Sequence, residues 1–208
     1  MLKNLMKGPA NTGPFLFSNS VEYGTTAGER LHELTDAISR PDIEAHHLLR
    51  IEKLLGRQPR GLEQLRLHAR SNEPAVIDVA PLVNDKPFPT RFWLVEPSIV
   101  LWLSRLEAEG VIARLQAIVD SSASIRDAMR SSHDWYKQIR RSSMTDQQQA
   151  RLRELGFSNA FERKGIGGIA DHDRVRCLHT WYAAHLVHSN PIGEILDKEY
   201  ADSFVWLA

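Results

Sequence analysis

Apolar residues recur along the chain with two different periods, and the change of period divides it. Ile43, His47, Ile51 and Leu54/Leu55 follow Arg40-Pro41-Asp42 at helical spacing. The proline and the aspartate suit a first helical turn, and Gly56 closes the element. From Gly61 to Val95 the period shortens. Leu65, Leu67 and Ala69 alternate with Gln64, Arg66, His68 and Arg70. Ala75–Val79 and Thr90–Val95 are short β-branched or aromatic runs, separated by turn residues at Asn72-Glu73-Pro74 and Asn84 to Pro87. Three antiparallel strands in a meander are the simplest reading.

Proline marks the next boundary. Six of the ten prolines lie between Pro59 and Pro97, and none lies between Ser98 and Asn190. Proline breaks helix interiors, so the long proline-free stretch is free to be helical. The spacing predicts helices from Pro97 to Gly110, Val111 to Val119, Ser121 to Arg141, Thr145 to Leu155 and Asp173 to His188, the last stopped by Ser189-Asn190-Pro191. Gly156 and Lys164 to Ile169 read as loop. The Gly-, Pro- and Ser-rich opening reads as an arm with a short helix near Glu29 to Ile38. The expected fold class is therefore α+β: a small antiparallel three-stranded meander covered by a mostly helical C-terminal half. Residues 1–41 form a loosely ordered N-terminal arm and residues 42–208 a single domain.

Composition narrows the class of function. Lys and Arg total 26, equal to Asp and Glu, so no net field draws the protein to nucleic acid or to an anionic membrane. No apolar run reaches the roughly 20 residues of a membrane span, and the opening segment lacks the continuous apolar stretch of a secretory signal. The single cysteine excludes an internal disulfide framework. These features place the chain in the cytoplasm.

Four groupings carry candidate chemistry. His133, Tyr136 and Arg140 stand at i, i+3 and i+7, on one helical face, where they could act as proton donor, orienting group and anion clamp. The competing reading is a structural amphipathic face. Gly165, Gly167 and Gly168 precede the predicted Asp173–His188 helix, which carries Arg174 and Arg176. Glycine-rich turns expose backbone N–H groups to anions and arginines add forked donors; a plain flexible loop competes with that reading. Two prolines around Phe88 stiffen the approach to Thr90 and Arg91, which form either a pocket wall or a clamp under the sheet. Finally, Cys177, His179, His185 and His188 crowd the last predicted helix. In a helix Cys177 and His179 point about 200° apart, and Cys177 and His188 stand roughly 16 Å apart, which leaves only His185 and His188 to share an ion. Metal ligands are therefore assigned to none of them, a divalent metal is the disfavoured choice of cofactor, and Cys177 is expected to be packed on the line of Trp181 and Ala184.

The resulting expectation is a small phosphate-containing anion bound or processed at a His/Arg/Tyr site. Arg140 and Arg174 clamp the anion and His133 or His179 moves a proton. The alternative is a non-catalytic adaptor that presents Trp135, Trp181 or Trp206 to a protein partner. Neither reading involves a membrane or general nucleic-acid binding.

Four stretches resemble one bacterial family, known as domain of unknown function 501. They are Pro87-Phe-Pro-Thr90 with Trp93-Leu94, Ser104-Arg-Leu-Glu-Ala-Glu-Gly110, His133 with Tyr136 and Arg140, and Arg174-Val-Arg-Cys-Leu-His179 with Asn190-Pro-Ile-Gly193. The resemblance spans roughly residues 42 to 195 and implies a small cytoplasmic bacterial protein with no assigned activity. Many members resemble an Arg-Cys-Pro-x-Gly-x-Pro segment where this chain has Arg70-Ser-Asn-Glu-Pro74, and carry a Cys-Pro where it has Glu96-Pro97.

Overall fold

The period-two segments do pair as an antiparallel meander in the computed structural model, which describes residues 33–207. A fourth strand joins its edge. Strand β1 is Ile38–Ser39, β2 is Leu62–Leu67 and β3 is Pro74–Val79. After a small hairpin of β4 (Leu82–Val83) and β5 (Lys86–Pro87) comes β6, Phe92–Leu94. The spatial order is β1-β2-β3-β6, with Leu65 opposite Ile77 and Val76 opposite Leu94. Part of the segment read as an arm is thus bound to the sheet: Leu34 bridges His68, and the Thr35 N–H donates to the Leu67 carbonyl. Residues 33–38 are extended, not the end of a short helix. The rest of that expected helix, and residues 1–32 of the arm, lie outside the described residues.

Every residue of β3 is buried, so the sheet is covered on both faces. Leu65, Leu67, Ile77 and Val79 pack with Ile43 and with Ile51 of helix α1, Ala45–Leu55, which ends at a left-handed Gly56 as the spacing requires. Val76 and Phe92 point the other way, into the larger core made with the helical half.

That half begins with α2, Pro97–Ala108, where the Glu96 side chain caps the Ile99 N–H. Gly110, in a left-handed conformation at φ 78°, turns the chain into α3, Val111–Ser121. Then follow α4 (Ala123–Ser142), α5 (Asp146–Glu154, with a Thr145/Gln148 capping box) and the short α6 (Ser158–Arg163). Helix α7, Leu178–Val187, lies at the centre, with Leu178 and Trp181 to Leu186 buried. An additional helix, α8 (Pro191–Tyr200), starts where the sequence suggested a stop. Asn190 caps it through the Gly193 N–H, and Pro191 occupies its first turn, where a missing N–H is harmless.

The largest correction concerns α7. The predicted helix from Asp173 starts five residues later, because the segment before Leu178 is held by side chains of other helices. Gln116 of α3 donates to the Asp173 carbonyl at 3.0 Å and accepts the Val175 N–H at 3.0 Å. Glu107 of α2 accepts the Leu178 N–H at 2.6 Å. No helix among the described residues is long and apolar enough to cross a membrane.

Candidate functional site

The His133/Tyr136/Arg140 stripe of α4 exists as one face, and that face is turned into the core. Exposures are 0% for His133, 1% for Tyr136 and 2% for Arg140. The Tyr136 hydroxyl accepts the Arg91 N–H at 2.6 Å, and burial pushes its pKa up. His133 Nδ1 accepts the Ile166 N–H at 2.9 Å, which leaves the ring hydrogen on Nε2. Desolvation, aided by His172 and Lys137, lowers its pKa to about 3, so the ring is neutral at physiological pH. Arg140 donates to the carbonyls of Pro89 (2.8 Å), Lys164 (2.6 Å) and Phe161.

The glycine loop packs closely beneath them. A Cβ on Gly165 would lie 2.1 Å from His133 Nδ1, and one on Gly167 would lie 2.6 Å from Thr180 Oγ1. Gly165 N–H donates to Ile169 O and Gly168 N–H to Gly165 O, so the loop satisfies these donors itself. Arg174 and Arg176 are exposed on the stretch preceding α7, not on a helix, and Arg174 pairs with Asp171 at 3.6 Å. The structure therefore separates these two arginines from the α4 stripe in burial.

Thr90 and Arg91 act as parts of a clamp. The Thr90 carbonyl accepts the Trp93 indole N–H at 2.9 Å. Buried Arg91 donates to Glu63 at 2.7 Å, Ser143 at 2.8 Å and Asp78 at 3.3 Å, tying β2 and β3 to the end of α4. Of the tryptophans expected at the surface, Trp181 is fully buried; Trp135 and Trp206 are half-buried, stacked on His188 and packed against His68.

Cys177 departs most from expectation. It is the residue before α7, with extended backbone at φ −137° and ψ 120°, and it is only partly buried. The helical argument that separated it from His179 does not apply there, and Sγ lies 3.8 Å from His179 Nδ1. Glu107 Oε1 is 3.2 Å from the same nitrogen. The hydrogen bond with Cys177 leads the effects that raise the His179 pKa to about 9, against partial burial. Sequence reasoning missed Glu107 because it lies on a different helix, 70 residues upstream of the Cys-Leu-His segment. His185, by contrast, is fully engaged: Nε2 faces Asp197 at 2.7 Å and Nδ1 accepts the Asn190 N–H.

A cavity of about 570 Å³ opens between α4, α5 and α6. Its lining includes Lys137, Arg140, Arg141 and Arg153, against the carboxylates of Asp134 and Glu162. Lys137 pairs with Asp134 at 2.7 Å and Arg141 with Glu162 at 3.0 Å. Among the described residues no carboxylate pairs with Arg140 or Arg153. Of the residues singled out in the sequence, Arg140 borders this cavity.

The family model for a protein of unknown function, DUF501, matches residues 67–198. The chain belongs to this family. No curated protein and no solved structure gives a significant match. The DUF501 match spans β3, β6 and the helices through most of α8, so it includes both the cavity and the Cys177 cluster.

Proposed function

We propose that this cytoplasmic bacterial DUF501 domain binds a small phosphate-bearing anion in the cavity between α4, α5 and α6. The observation that carries the reading is Arg140. A buried cation normally has a buried countercharge, because removing it from water is costly. Arg140 is 2% exposed, its partners are neutral carbonyls, and burial lowers its pKa. A bound anion supplies the missing charge. Arg140 contributes mainly through its field, since its forked N–H groups are occupied by the backbone. Arg153, Lys137, Gln149 and Ser158 supply the contacts at the cavity wall.

This reading keeps the expected ligand class and moves the site. His133, Tyr136 and the glycine loop become the support that holds Arg140, and His179 lies in a separate cluster, so the proposal is binding, without an assigned proton transfer. It is tested by thermal shift and calorimetry with inorganic phosphate, pyrophosphate and ATP. Stabilisation by at least one of them is expected, weakened about fivefold or more in affinity by Arg153→Ala, the loss of one charge-assisted contact. No heat of binding and no thermal shift with any of the three overturns it.

A further inference from the structure

We infer that Glu107, Cys177 and His179 form a zinc-class metal site, with three protein ligands and a fourth position open to solvent. It is independent of the anion cavity. Glu107 Oε1, Cys177 Sγ and His179 Nδ1 all lie within 4.8 Å of one another, one ligand atom from each residue. The Sγ–Nδ1 and Nδ1–Oε1 separations are 3.8 and 3.2 Å. Tetrahedral zinc, with bonds of about 2.3 Å to sulfur and about 2.0 Å to nitrogen and oxygen, places the same atom pairs about 3.5 and about 3.3 Å apart. The remaining sulfur–oxygen edge lies within 4.8 Å, against about 3.5 Å in a tetrahedral zinc site.

The far side of the imidazole strengthens the assignment. His179 Nε2 faces the Val100 carbonyl at 3.1 Å, and a carbonyl only accepts, so Nε2 carries the hydrogen. Nδ1 faces two further donor atoms, a thiol sulfur and a carboxylate oxygen, and such a convergence holds a cation, either the ring's own proton or a metal ion in its place. Metal-bound histidines commonly donate their second N–H to a backbone carbonyl in this way, which fixes the tautomer and the ring. The backbone sets up the rest. Cys177 is extended while Leu178 begins α7, so residues two apart face one side, and Glu107 reaches across from the last turns of α2 while anchoring the Leu178 N–H. Side-chain exposures of 24% for His179 and 28% for Glu107 leave an approach for water or a substrate atom. The mixed S, N, O donor set suits zinc and cobalt(II) rather than magnesium or calcium.

The test uses the full-length, untagged protein, stripped with EDTA and titrated with cobalt(II) and then zinc. A sulfur-to-cobalt charge-transfer band saturating at one equivalent is expected, with zinc displacing the cobalt. Cys177→Ser removes the band. His179→Gln and Glu107→Gln, which keep a hydrogen-bonding oxygen or amide in place, weaken cobalt binding about tenfold or more, with circular dichroism showing each variant folded. Absence of the band in folded wild-type protein with excess cobalt overturns the inference. So does a band that the His179 and Glu107 variants leave unchanged, since the cysteine would then bind metal alone.

Discussion

Arg140 connects three backbone carbonyls, those of Pro89, Phe161 and Lys164, that come from the β5–β6 connection, α6 and the glycine loop. A planar guanidinium reaches all three together, whereas an ammonium offers a compact point charge. Arg140→Lys is expected to destabilise the protein, and Arg140→Met to cost about 3 kcal/mol or more by leaving buried carbonyls unpaired, measured by urea unfolding. His133, two helical turns before Arg140 on the same face, gives a pH signature. Its folded pKa of about 3 lies below the ordinary 6.5, so between these values the unfolded chain takes up a proton that the folded chain refuses. Its contribution to stability is therefore complete above about pH 6.5 and is lost progressively as the pH falls toward 3, at up to about 1.4 kcal/mol per pH unit. His133→Gln should flatten that part of the pH–stability profile; an unchanged slope in the variant would contradict the assignment. Spacing in the sequence correctly placed His133, Tyr136 and Arg140 on one face. It could not show whether solvent or the core covers that face, since burial depends on residues such as Phe92 and Ile166, far away in the chain.

At the level of elements, patterns with strong local causes were legible. The alternation in β2, the Gly56 and Gly110 helix ends and the Thr145 cap each follow from neighbouring residues. Elements built by distant partners were not. β1 is two residues long and exists through pairing with Leu65 and Gln64. The apolar spacing of Val175, Leu178, Tyr182 and Leu186 extends a helical pattern backward past Leu178, where Gln116 instead holds the chain outside the helix. A helix continued back through Cys177 would turn its side chain away from His179, which is why their meeting is not legible in the spacing. The glycine loop belongs to this scale as well, since Gly165 lets the loop lie directly on the His133 ring. A Cβ there would sit 2.1 Å from Nδ1 against a side chain with no room to retreat, so Gly165→Ala is expected to cost about 1–3 kcal/mol. Chemical denaturation checks this, and a neutral effect would show that the loop is looser than its packing indicates.

For the molecule as a whole, the sheet and the central helix α7 form a rigid support, and the chemistry gathers at two separated places around it. One is the cavity of α4–α6, where no carboxylate among the described residues pairs with the buried Arg140; the other is the Glu107–Cys177–His179 cluster at the join of α2 and α7. Neither appears as a contiguous motif, because each draws its polar groups from two or three helices that only tertiary packing brings together. The proposed anion site is tested most directly by backbone amide NMR during titration with pyrophosphate. Saturable shifts are expected in residues 134–141 and 149–163, around the cavity, with little change at Gly165–Gly168 or Arg174. Shifts centred on the glycine loop and Arg174, or no saturable shifts at all, would contradict the account.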